Sequence, residues 1–343
     1  MSNKEAMPNE GTGSVRGESR ADSNAPRVSV VIVNWNTREL TSQCVSTLKA
    51  TLGELPAEII VVDNASADGS ADYIAAHHPD VRLVRSTENL GFARGNNLGF
   101  KYARGEYLVL LNSDTIVLEG AVQRLVEYLD AHADVAAVGG QHLNGEGDFV
   151  PTGLRFPTLW SDLSFAAGLN KFGPWVLKKN PQLARLWYVV ETQEVDWLSN
   201  SFVAVRREVL DQVGPLPDEF FLYGEDIEWY WRMREAGLRV CYVHGAPIVH
   251  LENKSSNQLY KNNDKHFRYL DAFYVFASRH RNPLAWRVGW VANALHWGAL
   301  GVRWYLRGRL TKDEDALRRA LWLRSFARYH IDQVTGKIAP IAR

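Results

Sequence analysis

Short runs of β-branched residues alternate with helical patterns in the first half of this sequence, and this alternation constrains the fold more than any other feature. We predict strands at Val28–Val33, Glu58–Asp63, Val81–Arg85 and Tyr107–Leu111. Helices are predicted at Arg38–Lys49, Gly69–His78, Phe92–Ala103 and Glu119–Ala131. Strands that alternate with helices form a parallel sheet that is covered on both faces. The sequence therefore predicts an α/β fold with a mostly parallel central sheet flanked by helices.

Polar residues follow three of the four predicted strands. They are Asn34, Asn36, Asp63, Asn64, Asn112 and Asp114. In sheets of this kind, ligands bind beyond the carboxyl ends of the strands. We therefore expect the functional site at this edge of the sheet.

The regular alternation ends near Gly140. Residues 141–194 are rich in Gly, Pro and aromatic residues, and we predict a variable insert of loops and short helices. Order returns with a predicted strand at Val195–Arg206, a helix at Glu225–Ala236, and strands at Leu238–Val243 and Pro247–His250. This divides the chain into a main domain over residues 27–264 and a C-terminal helical extension over residues 265–343.

Composition narrows the class of protein. Hydrophobic residues make up 46% and charged residues 23% of the 343 residues, which is typical of globular proteins. Lys and Arg together number 39, as do Asp and Glu, so charge provides no argument for a nucleic-acid partner. Residues 1–26 contain no Leu, Ile or Phe, which predicts a disordered leader without the apolar region of a secretory signal. The two cysteines, Cys44 and Cys241, predict buried, inert thiols in a reducing, cytoplasmic environment.

The C-terminal extension is basic and rich in tryptophan. Residues 279–343 hold 13 basic and 4 acidic residues, and five of the twelve tryptophans lie in the extension. Its apolar segment Val288–Val302 has 15 residues, which is short for a transmembrane span. Arginine and tryptophan around such a segment are typical of a helix that lies on an anionic membrane surface. The alternative is a helix that packs on the protein's own core.

Asn112-Ser113-Asp114 follows the fourth predicted strand. A carboxylate at the end of a parallel strand can hold Mg²⁺ or Mn²⁺, which favour oxygen ligands and often share substrate phosphates. The same three residues also suit a turn whose side chains bond to their own backbone.

Two other segments at the same edge have the composition of a nucleotide site. Asp63 could accept hydrogen bonds from a nucleobase or ribose, or it could cap the next helix. The segment 89–97, with two glycines, three asparagines and Arg94, suits either close approach to an anion or a plain turn. Neither the dinucleotide fingerprint G-x-G-x-x-G nor a P-loop occurs, which argues against a nucleotide-dependent oxidoreductase and a P-loop nucleotidase.

An acidic, aromatic segment at 218–226 contains four carboxylates in nine residues. Glu225 and Asp226 would begin a helix, where the dipole favours anions, and either could act as a general base. A purely structural role at the helix start remains the alternative. His250 ends the last predicted strand, and a histidine there is either structural or a metal ligand.

Seven segments occur in the order found in one enzyme family. They are VSVVIVNWN (28–36), VVDNAS (61–66), NLGFARGNN (89–97), LLNSDT (110–115), WLSNSFVAVRREVL (197–210), DEFFLYGEDIEWYWR (218–232) and His250. Through them the chain resembles the inverting family 2 glycosyltransferases with the GT-A fold, most closely the bacterial rhamnosyltransferase-like members. The resemblance covers about two thirds of the chain and implies a nucleotide-diphospho-sugar transferase of cell-wall or polysaccharide biosynthesis.

The resemblance also implies roles for individual residues in donor binding. Asp63 would contact the uracil or thymine base, with Asn34 and Arg94 beside it. Asn112 takes the place of the first aspartate of the family's D-x-D motif, so Asp114 is the expected metal ligand, together with His250. Trp197, which begins the fifth segment, is expected to bind substrate.

In the acidic segment, the resemblance implies that Asp226 is the catalytic base and that Glu225 and Asp218 position the acceptor. The implied reaction moves rhamnose or another hexose from a dTDP- or UDP-sugar to a hydroxyl of a glycan or of a polyprenyl-linked glycan. It would use Mg²⁺ or Mn²⁺ and take place in the cytoplasm or at the inner face of the cell membrane. A non-catalytic sugar-nucleotide or glycan-binding module on the same fold is the alternative.

Overall fold

The structure is a computed structural model, and it describes residues 25–169, 189–251 and 264–337. The predicted disordered leader lies almost entirely outside the described residues, as does a part of the predicted insert, 170–188. The division of the chain into a leader, a main domain and an extension therefore stays a prediction.

The first half of the chain follows the predicted alternation. Its elements are β1 (Val28–Asn34), α1 (Arg38–Thr51), β2 (Ala57–Asp63), α2 (Ser70–His77), β3 (Arg82–Arg85), α3 (Gly91–Phe100), β4 (Tyr107–Asn112), β5 (Thr115–Val117) and α4 (Ala121–Ala131). The four predicted strands and four predicted helices are confirmed, with ends that shift by no more than three residues. The short strand β5 was not predicted.

The second half departs from the prediction in several places. Its elements are β6 (Val135–Leu143), β7 (Phe149–Val150), β8 (Gly153–Leu154), α5 (Leu159–Ala166), β9 (Gln193–Glu194), β10 (Trp197–Leu198), β11 (Phe202–Arg206), α6 (Val209–Val213), α7 (Glu225–Glu235) and β12 (Arg239–His250). The sequence analysis missed β6 because two adjacent glycines interrupt its apolar pattern. The predicted strand Val195–Arg206 is divided into β10 and β11, and the last two predicted strands form the single strand β12.

The main sheet has the strand order β3-β2-β1-β4-β11-β6-β12-β5. The first four strands are parallel, as expected. The other half of the sheet mixes directions, since β11 is antiparallel to β4 and β6 whereas β12 is parallel to β6. At the end of the path, β5 pairs antiparallel with β12, and His250 lies opposite Thr115. This register brings the end of β12 to the carboxyl end of β4.

Both faces of the sheet are buried. Along β1, Val28, Val30 and Ile32 belong to one apolar cluster and Val31 to the other, as the two-residue period of a strand requires. Residues of α1 and α4 complete the first cluster, and residues of α3 and α7 complete the second. Cys44 and Cys241 are buried and unbridged, as predicted. Burial raises the pKa of the Cys44 thiol to about 12, which makes it a poor nucleophile.

The C-terminal extension forms three helices, α8 (Asp264–His280), α9 (Pro283–Thr311) and α10 (Glu314–Val334). Phe276 of α8 is fully buried in the second cluster of the main domain and stacks on Phe156. The next residue, Ala277, packs in a third cluster with Trp286, Trp290 and Tyr329. The extension therefore packs on the main domain through α8. None of the helices in the described ranges is both long and apolar enough to cross a membrane.

Candidate active site

A cleft of about 240 Å³ lies beyond the carboxyl ends of the strands, where the sequence analysis expected the site. Its walls come from the ends of β1, β4 and β12, from the start of α3, from the turn between β10 and β11, and from the segment before α7. Five of the ten predicted site residues line it, namely Asn112, Asp114, Glu225, Asp226 and His250.

Asp114 and His250 form the polar centre of one wall. The Oδ1 atom of Asp114 lies 3.0 Å from His250 Nε2, and Asn112 Nδ2 lies 3.3 Å from the same nitrogen. One ring nitrogen either donates or accepts, so Nε2 cannot bond to both neighbours at once. The Leu251 N–H donates to the Asp114 carbonyl at 2.9 Å, which holds the two chain segments together.

These two side chains fit a divalent cation. The carboxylate oxygen of Asp114 and the imidazole nitrogen of His250 lie 3.0 Å apart. A cation bound by both atoms would replace the proton of the hydrogen bond between them. Within the described ranges, no three side chains of the His, Cys, Asp or Glu type converge on one point. The described residues therefore offer two candidate ligands, which would leave other positions for diphosphate oxygens and water, as Mg²⁺ and Mn²⁺ prefer.

The opposite wall carries two adjacent carboxyl groups at the start of α7. Burial raises the pKa of Asp226 to about 6, although its Oδ1 accepts a hydrogen bond from the Ile227 N–H at 2.8 Å. Burial and the neighbouring Asp226 charge raise the pKa of Glu225 well above its usual value. With a pKa of about 6, Asp226 is largely ionised at neutral pH and can act as a base. Carboxyl groups with pKa values raised by burial are common in acid–base sites.

Helix α8 of the extension holds the acidic segment 218–226, which we call the acidic loop. Arg279 Nη1 lies 2.5 Å from Glu219 Oε1, and His280 Nε2 lies 3.0 Å from Glu228 Oε2. Tyr223, in a left-handed conformation with φ 69°, meets the ring of Tyr269 edge-on. A non-glycine residue in this region is strained, and such strain is often found at functional sites.

The segment 89–97, which we call the glycine loop, contacts the acidic loop directly. The Phe92 N–H donates to the Phe221 carbonyl at 2.9 Å. Gly91 has φ 76°, and a Cβ atom there would lie 2.3 Å from the same carbonyl oxygen. Only glycine satisfies both constraints. Asn64 anchors the loop from the other side, donating to Asn89 and to the Gly91 carbonyl.

Asn34 and Asp63 are joined in a buried network beside the cleft. Asn34 Nδ2 donates to Asp63 Oδ1 at 2.8 Å and to Ser66, while Thr37 and Thr41 donate to Asn34 Oδ1. Asn34 is fully buried and does not line the cleft. Its contacts position the Asp63 carboxylate, so its predicted contact with the nucleotide would be indirect.

The other three predicted residues also lie outside the cleft lining. Arg94 is half exposed and pairs with Glu88 at 3.3 Å. Trp197 is buried and donates to the Arg155 carbonyl at 3.1 Å. Asp218 is exposed at the start of the acidic loop. Their substrate-binding roles stay predictions.

The sequence analysis missed several residues that line the cleft. Trp35, Phe92, Phe221 and Tyr223 supply aromatic surface, and Ser199-Asn200-Ser201 form a polar turn between β10 and β11. The signal for this turn was present in the sequence, since three consecutive polar residues interrupt the predicted strand Val195–Arg206.

Known proteins agree with this fold. The family model "Glycosyl transferase family 2" matches residues 29–214, more than half of the chain. The chain therefore belongs to this family and is a glycosyltransferase, with the GT-A fold that the resemblance implied.

Two curated relatives and one solved structure are similar over large parts of the chain. The N-acetylglucosaminyl-diphospho-decaprenol L-rhamnosyltransferase of Mycobacterium tuberculosis is 28% identical over 80% of this chain and 86% of its own. Rhamnosyltransferase WbbL of Escherichia coli is 26% identical over 55% of this chain and 73% of its own. The mannosyltransferase PcManGT from Pyrobaculum calidifontis, solved with GDP-Man and Mn²⁺, superposes with a TM-score of 0.55 at 19% identity and covers 91% of this chain and 86% of its own.

The raised pKa of Asp226 predicts that Asp226→Asn stabilises the protein at pH 7.5. Below about pH 4 the carboxyl group is protonated in both the folded and unfolded chains, so it has no effect. Between about pH 4 and 6 only the folded chain keeps the proton, so its stability falls as pH rises. We expect the free energy of unfolding of Asp226→Asn to exceed that of the wild type by about 1–3 kcal/mol at pH 7.5.

Urea unfolding at pH 4 and pH 7.5 measures this difference. The exposed Asp218→Asn is the matched control, and its free energy of unfolding should follow the wild type at both pH values. Equal stabilities of Asp226→Asn and wild type at pH 7.5 would contradict the burial of this charge.

Proposed function

We propose that this chain is an inverting rhamnosyltransferase that moves rhamnose, or a related hexose, from a dTDP- or UDP-sugar to a hydroxyl group of a lipid-linked glycan. The observation that carries the proposal is that a candidate base, Asp226, and a candidate cation pair, Asp114 with His250, line one cleft. An inverting transfer needs a base on one side of the transferred sugar and a cation near the diphosphate on the other side.

In the proposed reaction, Asp226 accepts the proton of the acceptor hydroxyl. The acceptor oxygen then forms a bond to the anomeric carbon on the face opposite the diphosphate. The bond from that carbon to the diphosphate oxygen breaks, the nucleoside diphosphate leaves with the electron pair, and the configuration is inverted. A divalent cation, when bound, neutralises charge on the leaving diphosphate. Asp114 and His250 would hold that cation.

The choice of sugar and acceptor rests on the relatives. Two of the similar proteins are named as rhamnosyltransferases, and one name specifies N-acetylglucosaminyl-diphospho-decaprenol as the acceptor. We therefore propose a polyprenyl-diphosphate-linked sugar as the acceptor. Such an acceptor is anchored in a membrane, so the enzyme must work at the membrane surface.

An exposed apolar row on α9 supports contact with that membrane. Leu284, Val288, Leu295, Val302 and Leu306 are between 44% and 72% exposed, and their spacing places them on one face of the helix. Arg287, Arg303, Arg307 and Arg309 lie on the same helix. We propose that this face lies on anionic lipid at the inner face of the cell membrane, with the apolar row in the interface and the arginines at the headgroups.

The first test measures nucleotide release from a panel of dTDP-rhamnose, UDP-glucose, UDP-galactose, UDP-N-acetylglucosamine and GDP-mannose. Each donor is incubated with Mg²⁺ or Mn²⁺, with and without bacterial lipid extract. We expect release from one donor that depends on the lipid extract, and Asp226→Asn should lower its rate by roughly 10²–10⁴-fold.

Retained release by Asp226→Asn would contradict the base assignment. Binding of a sugar nucleotide with no release under any condition would favour the alternative, a non-catalytic binding module. Thermal stabilisation by each donor separates this result from a protein that binds no donor.

The Asp114–His250 pair predicts dependence on a divalent cation. We expect EDTA to abolish transfer and an excess of Mg²⁺ or Mn²⁺ to restore it, because the cation that Asp114 and His250 would hold neutralises charge on the leaving diphosphate. Asp114→Asn should raise the cation concentration needed for half-maximal rate. Full activity in EDTA would refute the metal role of both residues.

Flotation with vesicles tests the membrane face. Wild type should float with vesicles that contain phosphatidylglycerol and remain in solution with pure phosphatidylcholine, since both the apolar row and the arginines contribute. Leu295→Asp should lose flotation. Leu321→Asp, at a leucine of similar exposure on α10, is the matched control and should still float. A wild type that does not float would favour the alternative in which the extension only packs on the protein.

A further inference from the structure

The polar turn Ser199-Asn200-Ser201 holds a buried hydrogen-bond donor that no described residue pairs with. Asn200 is 4% exposed and lines the cleft. Its Oδ1 accepts a hydrogen bond from the Tyr230 hydroxyl at 2.8 Å, whereas its Nδ2 has no partner in the part of the chain that the structure describes. An unpaired buried amide costs about 1–3 kcal/mol, and a ligand that accepts its hydrogen bond in the cleft would remove this cost.

A second unpartnered atom lies in the same cleft. Glu225 is 5% exposed, and its Oε2 also lacks a hydrogen-bond partner within the described ranges. Glu225 begins α7, and Tyr230, which holds Asn200, lies on the first turns of the same helix. Asn200 Nδ2 and Glu225 Oε2 are thus both held in place by α7, and both lack a partner among the described residues.

The position of the polar turn indicates which part of a substrate it would meet. On one side, the Asn112 N–H donates to the Ser201 carbonyl at 3.0 Å, which joins the turn to the segment that carries Asp114. On the other side, Tyr230 lies one helical turn after Asp226, and the Asp226 charge contributes to its raised pKa. Asn200 therefore lies between the candidate cation pair and the candidate base.

In an inverting transfer, the sugar that moves occupies this intermediate position. Its anomeric carbon is bonded to the diphosphate on one face, and the deprotonated acceptor oxygen approaches the other face. The ring of the transferred sugar therefore lies between the diphosphate and the base. A sugar hydroxyl group both accepts and donates hydrogen bonds, which matches a free amide N–H and a free carboxyl oxygen.

We propose that Asn200 Nδ2 donates a hydrogen bond to a hydroxyl oxygen of the transferred sugar. Glu225 Oε2 bonds to a hydroxyl group of the same ring, in place of the acceptor contact that the resemblance implied. Tyr230 is a positioning residue, because its hydroxyl group fixes the orientation of the Asn200 amide. This inference rests on the proposed function and extends it, because it makes Asn200 a determinant of which sugar is accepted. Removal of one sugar hydroxyl leaves the amide unpaired, which is how polar sites reject analogues.

The variant Asn200→Asp tests the donor bond with little change in shape. It keeps an oxygen for the Tyr230 hydroxyl and replaces the Nδ2 donor with an acceptor. Isothermal titration calorimetry with dTDP-rhamnose and with dTDP alone, both in Mg²⁺, separates the sugar from the nucleotide. We expect affinity for dTDP-rhamnose to fall about 10-fold to 100-fold, while affinity for dTDP is unchanged. Tyr230→Phe keeps the Nδ2 donor and should give a smaller loss, again only for the sugar nucleotide.

Asn293→Asp is the control, because Asn293 is equally buried but lies on α9, away from the cleft. Its affinity for both ligands should match that of the wild type. An Asn200→Asp variant that binds dTDP-rhamnose as the wild type does would overturn the inference and leave the proposed function intact. A wild type that binds neither dTDP-rhamnose nor dTDP, with UDP-glucose and UDP giving the same result, would overturn both.

Sugar analogues identify the hydroxyl group concerned. Analogues of dTDP-rhamnose that lack the hydroxyl at position 2, 3 or 4 are compared in wild type and in Asn200→Asp. We expect one analogue to bind more weakly than dTDP-rhamnose to the wild type but equally well to the variant, since the deleted bond is the same one. If each analogue loses affinity relative to dTDP-rhamnose by the same factor in wild type and in Asn200→Asp, Asn200 does not contact the sugar.

Discussion

Burial of the sheet on both faces is the constraint on which the rest of the structure depends. Residues of β1 alternate between two apolar clusters, so neither face of the central strands can present polar chemistry. The edge at the carboxyl ends is where backbone and polar side chains leave the apolar layers. Two buried strands end at this edge with Asp63 and Asn112, and Asp114 comes two residues after Asn112. The second half of the sheet then adds its own polar ends to the same place, because β12 turns His250 toward Asp114.

The opposite wall of the cleft carries two buried carboxyl groups, and their burial lowers the stability of the fold. Glu225 and Asp226 stand side by side at the start of α7, where burial disfavours their charged forms. The helix dipole and the Ile227 N–H reduce this cost without removing it. Helix α8 contributes by pairing Arg279 with Glu219 at the other end of the acidic loop. The extension therefore helps to position the acidic loop, which carries the candidate base.

Much of the site could be predicted because its residues adjoin recognisable elements. Asn112 and Asp114 follow a strand, Glu225 and Asp226 begin a helix, and His250 ends a strand, and all five line the cleft. Asn34 illustrates a limit of prediction from sequence. It was predicted to contact the nucleotide, but its side chain makes four hydrogen bonds within the protein and positions Asp63. Asn200 illustrates the opposite limit. Its place between Asp114 and Asp226 depends on Tyr230, thirty residues away, and local sequence does not report that contact.

The sequence by itself determined the α/β class, the parallel half of the sheet, the edge at which the site lies and the family to which the chain belongs. These features depend on periodicity and on motifs that are local in the chain. Only the tertiary structure decided the mixed half of the sheet, the pairing of β12 with β5, the packing of α8 on the acidic loop and the two unpartnered atoms in the cleft. Each of these depends on contacts between residues far apart in sequence, and their free energy is set by burial and geometry that exist only once the chain has folded.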